Sequence, residues 1–390
     1  MKVIATEKIP IKLWLEDIED GAMAQVRNLA NLPFAFKHIA IMPDSHQGYG
    51  MPIGGVLATK GVIIPNAVGV DIGCGMCAVK TNITNIDTET IKKIMGEIRE
   101  AVPVGFNRHK EKQPEELMPK RGSFMIPLDG VVEQEYNAAL KQIGTLGGGN
   151  HFIEIQRGSD GFIWIMIHSG SRNFGLKIAN YYNEIAKELN KKWFTVVDPK
   201  QDLAFLHIDS EEGQNYLREM NYAVEFALNN RKLMMARICG IFMKYWNGTI
   251  LFDELINIAH NYAAIETHFG QEVVIHRKGA TLAEGNTIGI IPGSQGTKSY
   301  IVKGRGNRDS FNSCSHGAGR KMGRGQAQRD LILEDEIKKL DDQGIIHAIR
   351  GKKDLDEASG AYKDIDVVMK NQEDLVEILV ELTPLAVIKG

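Results

Sequence analysis

The sequence predicts an α+β fold: one large domain in which mixed and antiparallel sheets form a central core flanked by helices. Short apolar runs and longer periodic stretches follow one another in irregular order. A doubly wound parallel sheet would require strict alternation instead. The 390 residues are 43% hydrophobic, enough for a large core. No Pro- or Ser-rich linker and no internal repeat divides residues 1–390, which are read as a single domain.

Residues 39–42, 54–58, 62–64 and 68–70 are apolar runs bounded by turn residues and are expected as buried strands. Residues 86–101 have helical spacing, and Asp87 or Thr88 suits the N-cap. The run 162–167 is a buried-strand pattern that delivers His168 at its end. Residues 273–275 do the same for His276. Cys77-Ala78-Val79 reads as strand, with Cys77 in the core. Between 211 and 246, Leu217, Met220, Val224, Ala227, Leu228, Met234, Met235 and Ile238 keep helical spacing. Those methionines are core rather than a cofactor box. Residues 371–380 are expected as a helix and 385–388 as a final strand.

Composition excludes several classes. There are four cysteines, too few for a disulfide scaffold, which points to a reducing, cytoplasmic setting. Cys74 and Cys77 have the spacing of half a zinc knuckle, but no second pair exists. The N-terminal residues show no signal-peptide pattern. The apolar stretch 233–246 is broken by Arg237 and Lys244, so no membrane span is expected. Net charge is −3, which neither selects nor rejects nucleic acid. From Thr297 to Arg329, however, eight Lys and Arg residues face one acid, Asp309. That segment attracts a polyanion or is simply a solvated face.

Glycine-packed segments carry the chemistry. Val68-Gly-Val-Asp71-Ile-Gly-Cys74-Gly-Met76 brings a carboxylate and a thiol to one turn, and His151, His168 and His260 are further candidate ligands. A thiolate favours zinc over manganese, unless it bridges two ions. Gly147-Gly-Gly-Asn150-His151-Phe152-Ile153-Glu154 places Phe152 and Glu154 on one strand face. A carboxylate there accepts from guanine N1–H and N2–H2, whereas adenine offers no N1–H. In Cys314-Ser-His316-Gly317-Ala318-Gly319-Arg320, a histidine nitrogen suited to attack phosphorus precedes backbone amides and a cation suited to phosphate oxygens. Read alone, that block is equally a solvated glycine turn. Pro292-Gly293-Ser294-Gln295-Gly-Thr-Lys-Ser299 is not a Walker A loop, because the gap before Gly-Lys is wrong. His276-Arg277-Lys278 suits an external phosphate, or is a solvated turn.

Together these blocks resemble the RtcB-type RNA ligases. The resemblance adds Met42-Pro-Asp44-x-His46-x-Gly48-x-Gly50, His168-Ser-Gly-Ser-Arg172, His260-Asn261 and the final Lys389-Gly390, and it runs from about Met42 onward. It implies a GTP- and Mn2+-dependent ligase with a pair of Mn2+ ions. Such an enzyme joins RNA ends bearing a 2′,3′-cyclic phosphate or 3′-phosphate to 5′-hydroxyl ends. His316 would be guanylylated, and Asp71, Cys74, His151, His168 and His260 would hold metal, with Cys74 bridging. Asn150, His151, Phe152, Ile153, Glu154, His260, Asn261, Pro292, Gly293, Ser294, Gln295, Ser299, His316, Gly317, Ala318, Gly319, Tyr362 and Lys389 would bind guanylate. Arg172, Arg277, Lys278 and Arg320 would meet RNA phosphates. An archease-type activator is a possible partner, and a monomer is favoured.

Ser45, Gln47, Asn173-Phe174 and Gln295 depart from the family pattern, which indicates a divergent subgroup in tRNA splicing or RNA repair. Two rival readings stand beside the ligase: a metal-dependent phosphoesterase that only opens cyclic phosphates, and a non-catalytic RNA-binding protein.

Overall fold

The computed structural model describes residues 1–246 and 248–390. Two large sheets dominate it, and the class is α+β with mixed pairing. In strand order, the first sheet is β1 (Lys2–Ile4), β2 (Ile11–Leu13), β3 (Ala35–His46), β4 (Ile53–Thr59), β12 (Gln271–Lys278) and β11 (Asn261–His268). Only the β2–β3 pairing in it is parallel. The second sheet is antiparallel throughout: β10 (Ile256–Ala259), β6 (Gly75–Lys80), β8 (Ile163–Ser169), β7 (Phe152–Gly158), β17 (Val376–Lys389), β15 (Ser299–Gly304) and β14 (Ile288–Ile291). Two small ladders pair β5 (Val62–Ile63) with β9 (Leu206–His207), and β13 (Ala280–Leu282) with β16 (Ser313–Ser315).

The central strands β4, β6, β7 and β8 and most of β3 are buried on both faces, so they read as continuous apolar runs rather than alternating ones. In β3, Ile39 and Ile41 face one core and Ala40 and Met42 the other. In the second sheet, Ile153, Ile155, Ile165 and Ile167 pack against the Thr88–Ala101 and Glu211–Lys244 helices, through Ile91, Ile94, Ile98, Met234 and Ile238. Its opposite face, with Phe152, Trp164 and Met166, is closed partly by Leu340 of the Leu333–Asp341 helix. Asp87 caps its helix by accepting from Thr90 N at 2.9 Å. Met220, Met234 and Met235 of the long helix are core, and Cys77 is fully buried. No helix among the described residues is long and apolar enough to cross a membrane.

Two elements correct the sequence expectations. Residues 68–70 are not a strand: a short Pro65–Val68 helix ends there and Gly69 turns the chain at φ 94°. Residues 371–380 are not a helix: a turn precedes β17, which begins at Val376. There the Glu-Ile-Leu-Val-Glu pattern pairs along β15, and strand pairing outweighs the helical propensity of its glutamates and leucine. A third correction matters for function. β12 does not stop at Ile275 but runs on to Lys278, so His276 and Arg277 lie within a central strand.

Candidate functional site

Cys74 stands at the start of β6. His168, in β8, pairs with Met76 of β6, and His260 follows β10, which pairs with β6 on its other side. Neighbouring strands therefore bring the thiol and two imidazoles to one sheet end. His151 precedes β7, while Asp71 lies in the turn before Cys74. Cys74 Sγ is 3.4 Å from His151 Nε2 and 3.3 Å from His168 Nε2, and His168 Nε2 is 3.4 Å from His260 Nε2. Asp71 Oδ2 is 3.2 Å from His151 Nε2. These atoms form two triads that share the thiol: Cys74–His168–His260 and Asp71–Cys74–His151.

The donor set fits a divalent cation on internal grounds. His151 Nδ1 donates to the Leu146 carbonyl at 3.0 Å and His168 Nδ1 to the Asn150 carbonyl at 3.1 Å. Each ring thus turns an Nε2 lone pair inward. Acceptors then face acceptors around one thiol, and His260 Nδ1 is buried without a partner. Burial, and next Asp71, pushes the Cys74 thiol well above its ordinary value. Burial also drives His168 and His260 far below theirs, which keeps both rings neutral. A cation resolves all of this: it favours the thiolate and takes the lone pairs.

Beside the cluster lies the His316 pocket. Three-residue β16 ends at Ser315, and His316 emerges with its ring centroid 4.8 Å from that of His260. Asp44, fully buried at the end of β3, receives three hydrogen bonds on Oδ2: His316 Nδ1 at 2.6 Å, His316 N at 3.0 Å and Gly317 N at 3.2 Å. Burial opposes ionisation of Asp44, yet His316 holds its carboxyl below the ordinary value. With Nδ1–H given to Asp44, the lone pair on Nε2 is free. Gly319, at φ 74°, lies against the Asp44 backbone, where a side chain would collide.

The pocket wall gathers most of the residues expected at the guanylate site. Asn150, Phe152, Glu154, Pro292, Gly293, Ser294, Gln295, His316, Gly317, Ala318, Gly319, Tyr362 and Lys389 all line it, as does Arg320. Glu154 is buried, and burial pushes its carboxyl up to about 8, against the pull of Lys389 and Gln156. Pairing of Lys389 with Phe152 carries the penultimate residue into the wall.

Other expected residues lie elsewhere. Ile153 points from the opposite face of β7 into the core. Ser299 stands behind the wall, accepting from Gly293 N at 3.1 Å and Gln156 Nε2 at 3.3 Å. Asn261 braces the Asp71 turn through Asp71 O at 3.1 Å and Gly279 N at 2.7 Å.

The four expected RNA-facing cations divide. Arg320 lines the pocket, 3.1 Å from Glu357. Arg172 lies in a second opening that reaches the cluster through Asp71 and His151, with Phe106, Asn107 and Arg108 at its rim. Arg277 is fully buried, paired with Glu266 and hydrogen-bonded to Ser313 Oγ at 2.9 Å. Lys278 is buried with Nζ on the carbonyls of Tyr49 (2.5 Å) and Asn66 (2.9 Å). His276 is buried as well. The expectation of an external phosphate at Arg277 and Lys278 is therefore corrected, as is the solvated turn, because both positions belong to a strand covered on each side.

Sequence reasoning missed Asp44 as a partner of His316, and it missed His46, Arg324 and Glu357 in the pocket. The 42–50 motif contained Asp44 and His46 without assigning them roles. Glu357 gathers Tyr362, Arg320 and Arg324 around one carboxylate, and nothing local in Asp-Leu-Asp-Glu marks it.

A family model described as tRNA-splicing ligase RtcB matches residues 25–390. The RNA-splicing ligase RtcB of Escherichia coli K12 is similar at 41% identity over 416 residues, covering 100% of this chain and 99% of its own. The tRNA-splicing ligase RtcB of Thermococcus kodakarensis is similar at 30% identity, covering 95% of this chain and 92% of its own.

Proposed function

The chain belongs to the RtcB family, and on that premise we propose that it is an RNA ligase using GTP and a pair of Mn2+ ions. It joins 2′,3′-cyclic phosphate or 3′-phosphate ends to 5′-hydroxyl ends. The observation that carries this reading is His316: its Nδ1 is tied to Asp44, and its ring stands against His260 of the ligand cluster.

His316 Nε2 attacks the α-phosphorus of GTP. A P–N bond forms, the bond to the β-phosphate oxygen breaks, and pyrophosphate leaves. Asp44 keeps the Nδ1 proton in place and stabilises the positive ring, so the attacking nitrogen keeps the correct tautomer. Glu154 accepts the N1–H and N2–H2 of the guanine base. Backbone amides of Gly317 to Gly319 and the Arg320 guanidinium lie along the same wall and suit phosphate oxygens.

An oxygen of the RNA 3′-phosphate then attacks the phosphorus of the histidine adduct, and imidazole departs. The 5′-hydroxyl oxygen next attacks the RNA phosphorus, a phosphodiester forms, GMP leaves into its pocket and the hydroxyl proton is lost. A cyclic phosphate is first opened by water to the 3′-phosphate, with the 2′-oxygen departing. Asp71, Cys74, His151, His168 and His260 would hold the metal, which supplies charge stabilisation to entering and leaving oxygens. In-line displacement puts those oxygens on opposite sides. With GMP in the His316 pocket, the opening at Asp71 and His151 receives the 5′-hydroxyl strand, and exposed Phe106 offers its first base a stacking surface.

Incubation with Mn2+ and α-labelled GTP tests the reading. An acid-labile, alkali-stable adduct that disappears in His316→Ala is expected. Absence of an adduct with every divalent metal tried would remove the ligase mechanism.

A further inference from the structure

Two fully buried residues of the long Glu211–Lys244 helix, Asn230 and Arg231, line neither the His316 pocket nor the opening at Asp71, yet they reach the segments that carry the ligand cluster. Arg231 Nη1 donates to the carbonyls of Gly73 (3.0 Å) and Ser169 (2.7 Å), and Nη2 donates to the carbonyl of Ile258 (3.1 Å). Its Nε donates to Asn257 Oδ1 at 2.8 Å, and Asn257 is fixed in turn to Leu228 O at 3.0 Å. Gly73 precedes Cys74, Ser169 follows His168, and Ile258 stands two residues before His260. One planar fork therefore spans the three backbone segments that present the Cys74–His168–His260 triad.

Asn230 serves the other side. Its Oδ1 accepts from Gly144 N at 2.7 Å and Thr145 N at 3.1 Å, and its Nδ2 donates to Ser169 Oγ and Gly170 O, each at 3.2 Å. That holds the stretch leading to Leu146, whose carbonyl takes both the Ser169 hydroxyl (2.6 Å) and the His151 ring N–H (3.0 Å). Among the described residues no carboxylate lies within ion-pair distance of Arg231. A buried guanidinium without one is a costly residue to keep. Lysine would supply the same charge as a compact ammonium, without the planar fork that meets several strands at once.

We propose that Asn230 and Arg231 are positioning residues of the metal centre, with Arg231 the clamp that sets the spacing of Cys74, His168 and His260. The proposal rests on the reading of those three side chains as metal ligands. It distinguishes a geometric role from a charge-balancing one, because only the first depends on the fork.

The test is Co2+ titration of the full-length protein, followed by thiolate-to-cobalt charge-transfer absorption and by calorimetric affinity. Wild type is expected to show the band. Arg231→Lys is expected to weaken and shift it, with affinity lower by about 10- to 100-fold, the range typical for groups that orient ligands. Asn257→Ala, which removes one of the fork's four acceptors, is expected to move affinity the same way by less, with the metal-free melting temperature held near wild type. Should Arg231→Lys not fold, Asn257→Ala carries the test. Wild-type band and affinity in the folded variants would overturn the clamp. No thiolate band in wild type would instead overturn the ligand assignment beneath it.

Discussion

Two segments, 276–278 and 316–320, look alike as text, and the fold treats them oppositely. Each begins with a histidine at or just after a strand and contains an arginine. In the first, the strand continues. His276 accepts from Ile64 N at 3.0 Å, and burial drives its ring down to about 4. Arg277 is spent on Glu266, and burial brings Lys278 down to about 7. In the second, a three-residue strand ends, glycines follow, and a buried aspartate from another sheet takes one ring nitrogen while the other faces a cavity. Residue type nominates chemistry; the partner across space decides whether a group is reactive or structural.

The sharpest break of the comparison is at Asp44. His316→Ala abolishes the GMP adduct. Asp44→Asn slows its formation by about 10²-fold or more, because the ring loses its anionic partner and the preferred tautomer. Single-turnover labelling measures this, and an unchanged rate would mean that Asp44 only packs.

Next is Arg277→Ala, expected to cost about 3–5 kcal/mol of stability by emptying a fully buried position and leaving half-buried Glu266 with only His268 as a partner. Urea unfolding reads it, and guanylylation per folded molecule stays near wild type. Lost RNA joining at full stability would restore the phosphate role. Burial opposes ionisation of Glu266, but Arg277 and His268 hold its carboxyl below the ordinary value. The pair's stabilisation is therefore present above the unfolded carboxylate range and lost as pH falls through the folded value. The difference in acid unfolding between wild type and Glu266→Gln checks that sign.

Glu154 gives a smaller, pH-dependent effect. Burial raises its carboxyl to about 8, while guanine requires the carboxylate, so nucleotide binding expels a proton. GTP affinity should rise by about tenfold per pH unit below that value and then level off. In Glu154→Gln that slope should vanish, and GTP should be discriminated from ATP less well. Lys389 and Glu357 titrate nearby, so the comparison is repeated in Lys389→Met. A slope that survives Glu154→Gln would assign the proton elsewhere.

The smallest expected change is at Phe106. Phe106→Ala should weaken sealing by about 1–3 kcal/mol, the worth of one stacked base, while leaving adduct formation intact. Equal loss in both steps would place this opening on the nucleotide path instead.

Much of the site was legible before folding. Asp71, Cys74, His151 and His168 stand among glycines, His260 stands beside Asn261, and few other roles explain such residues together. The side chains of Ile153 and Ser299 lie off the pocket wall because a motif names a stretch, while strand alternation turns neighbouring side chains to opposite faces. Glu357 and Arg231 were invisible, since each acts on segments far away in sequence, through contacts no local pattern encodes.

By itself the sequence determined the α+β class and the family, and it nominated the ligand types and the nucleophile. These depend on composition, period and local motif. Only the tertiary structure decided which cations face a cavity and which are consumed by buried acceptors, and which carboxylate holds His316. The reason is that burial and charge pairing are set by strands and helices that meet from distant parts of the chain, and those meetings fix whether a charged group is solvated, paired or poised.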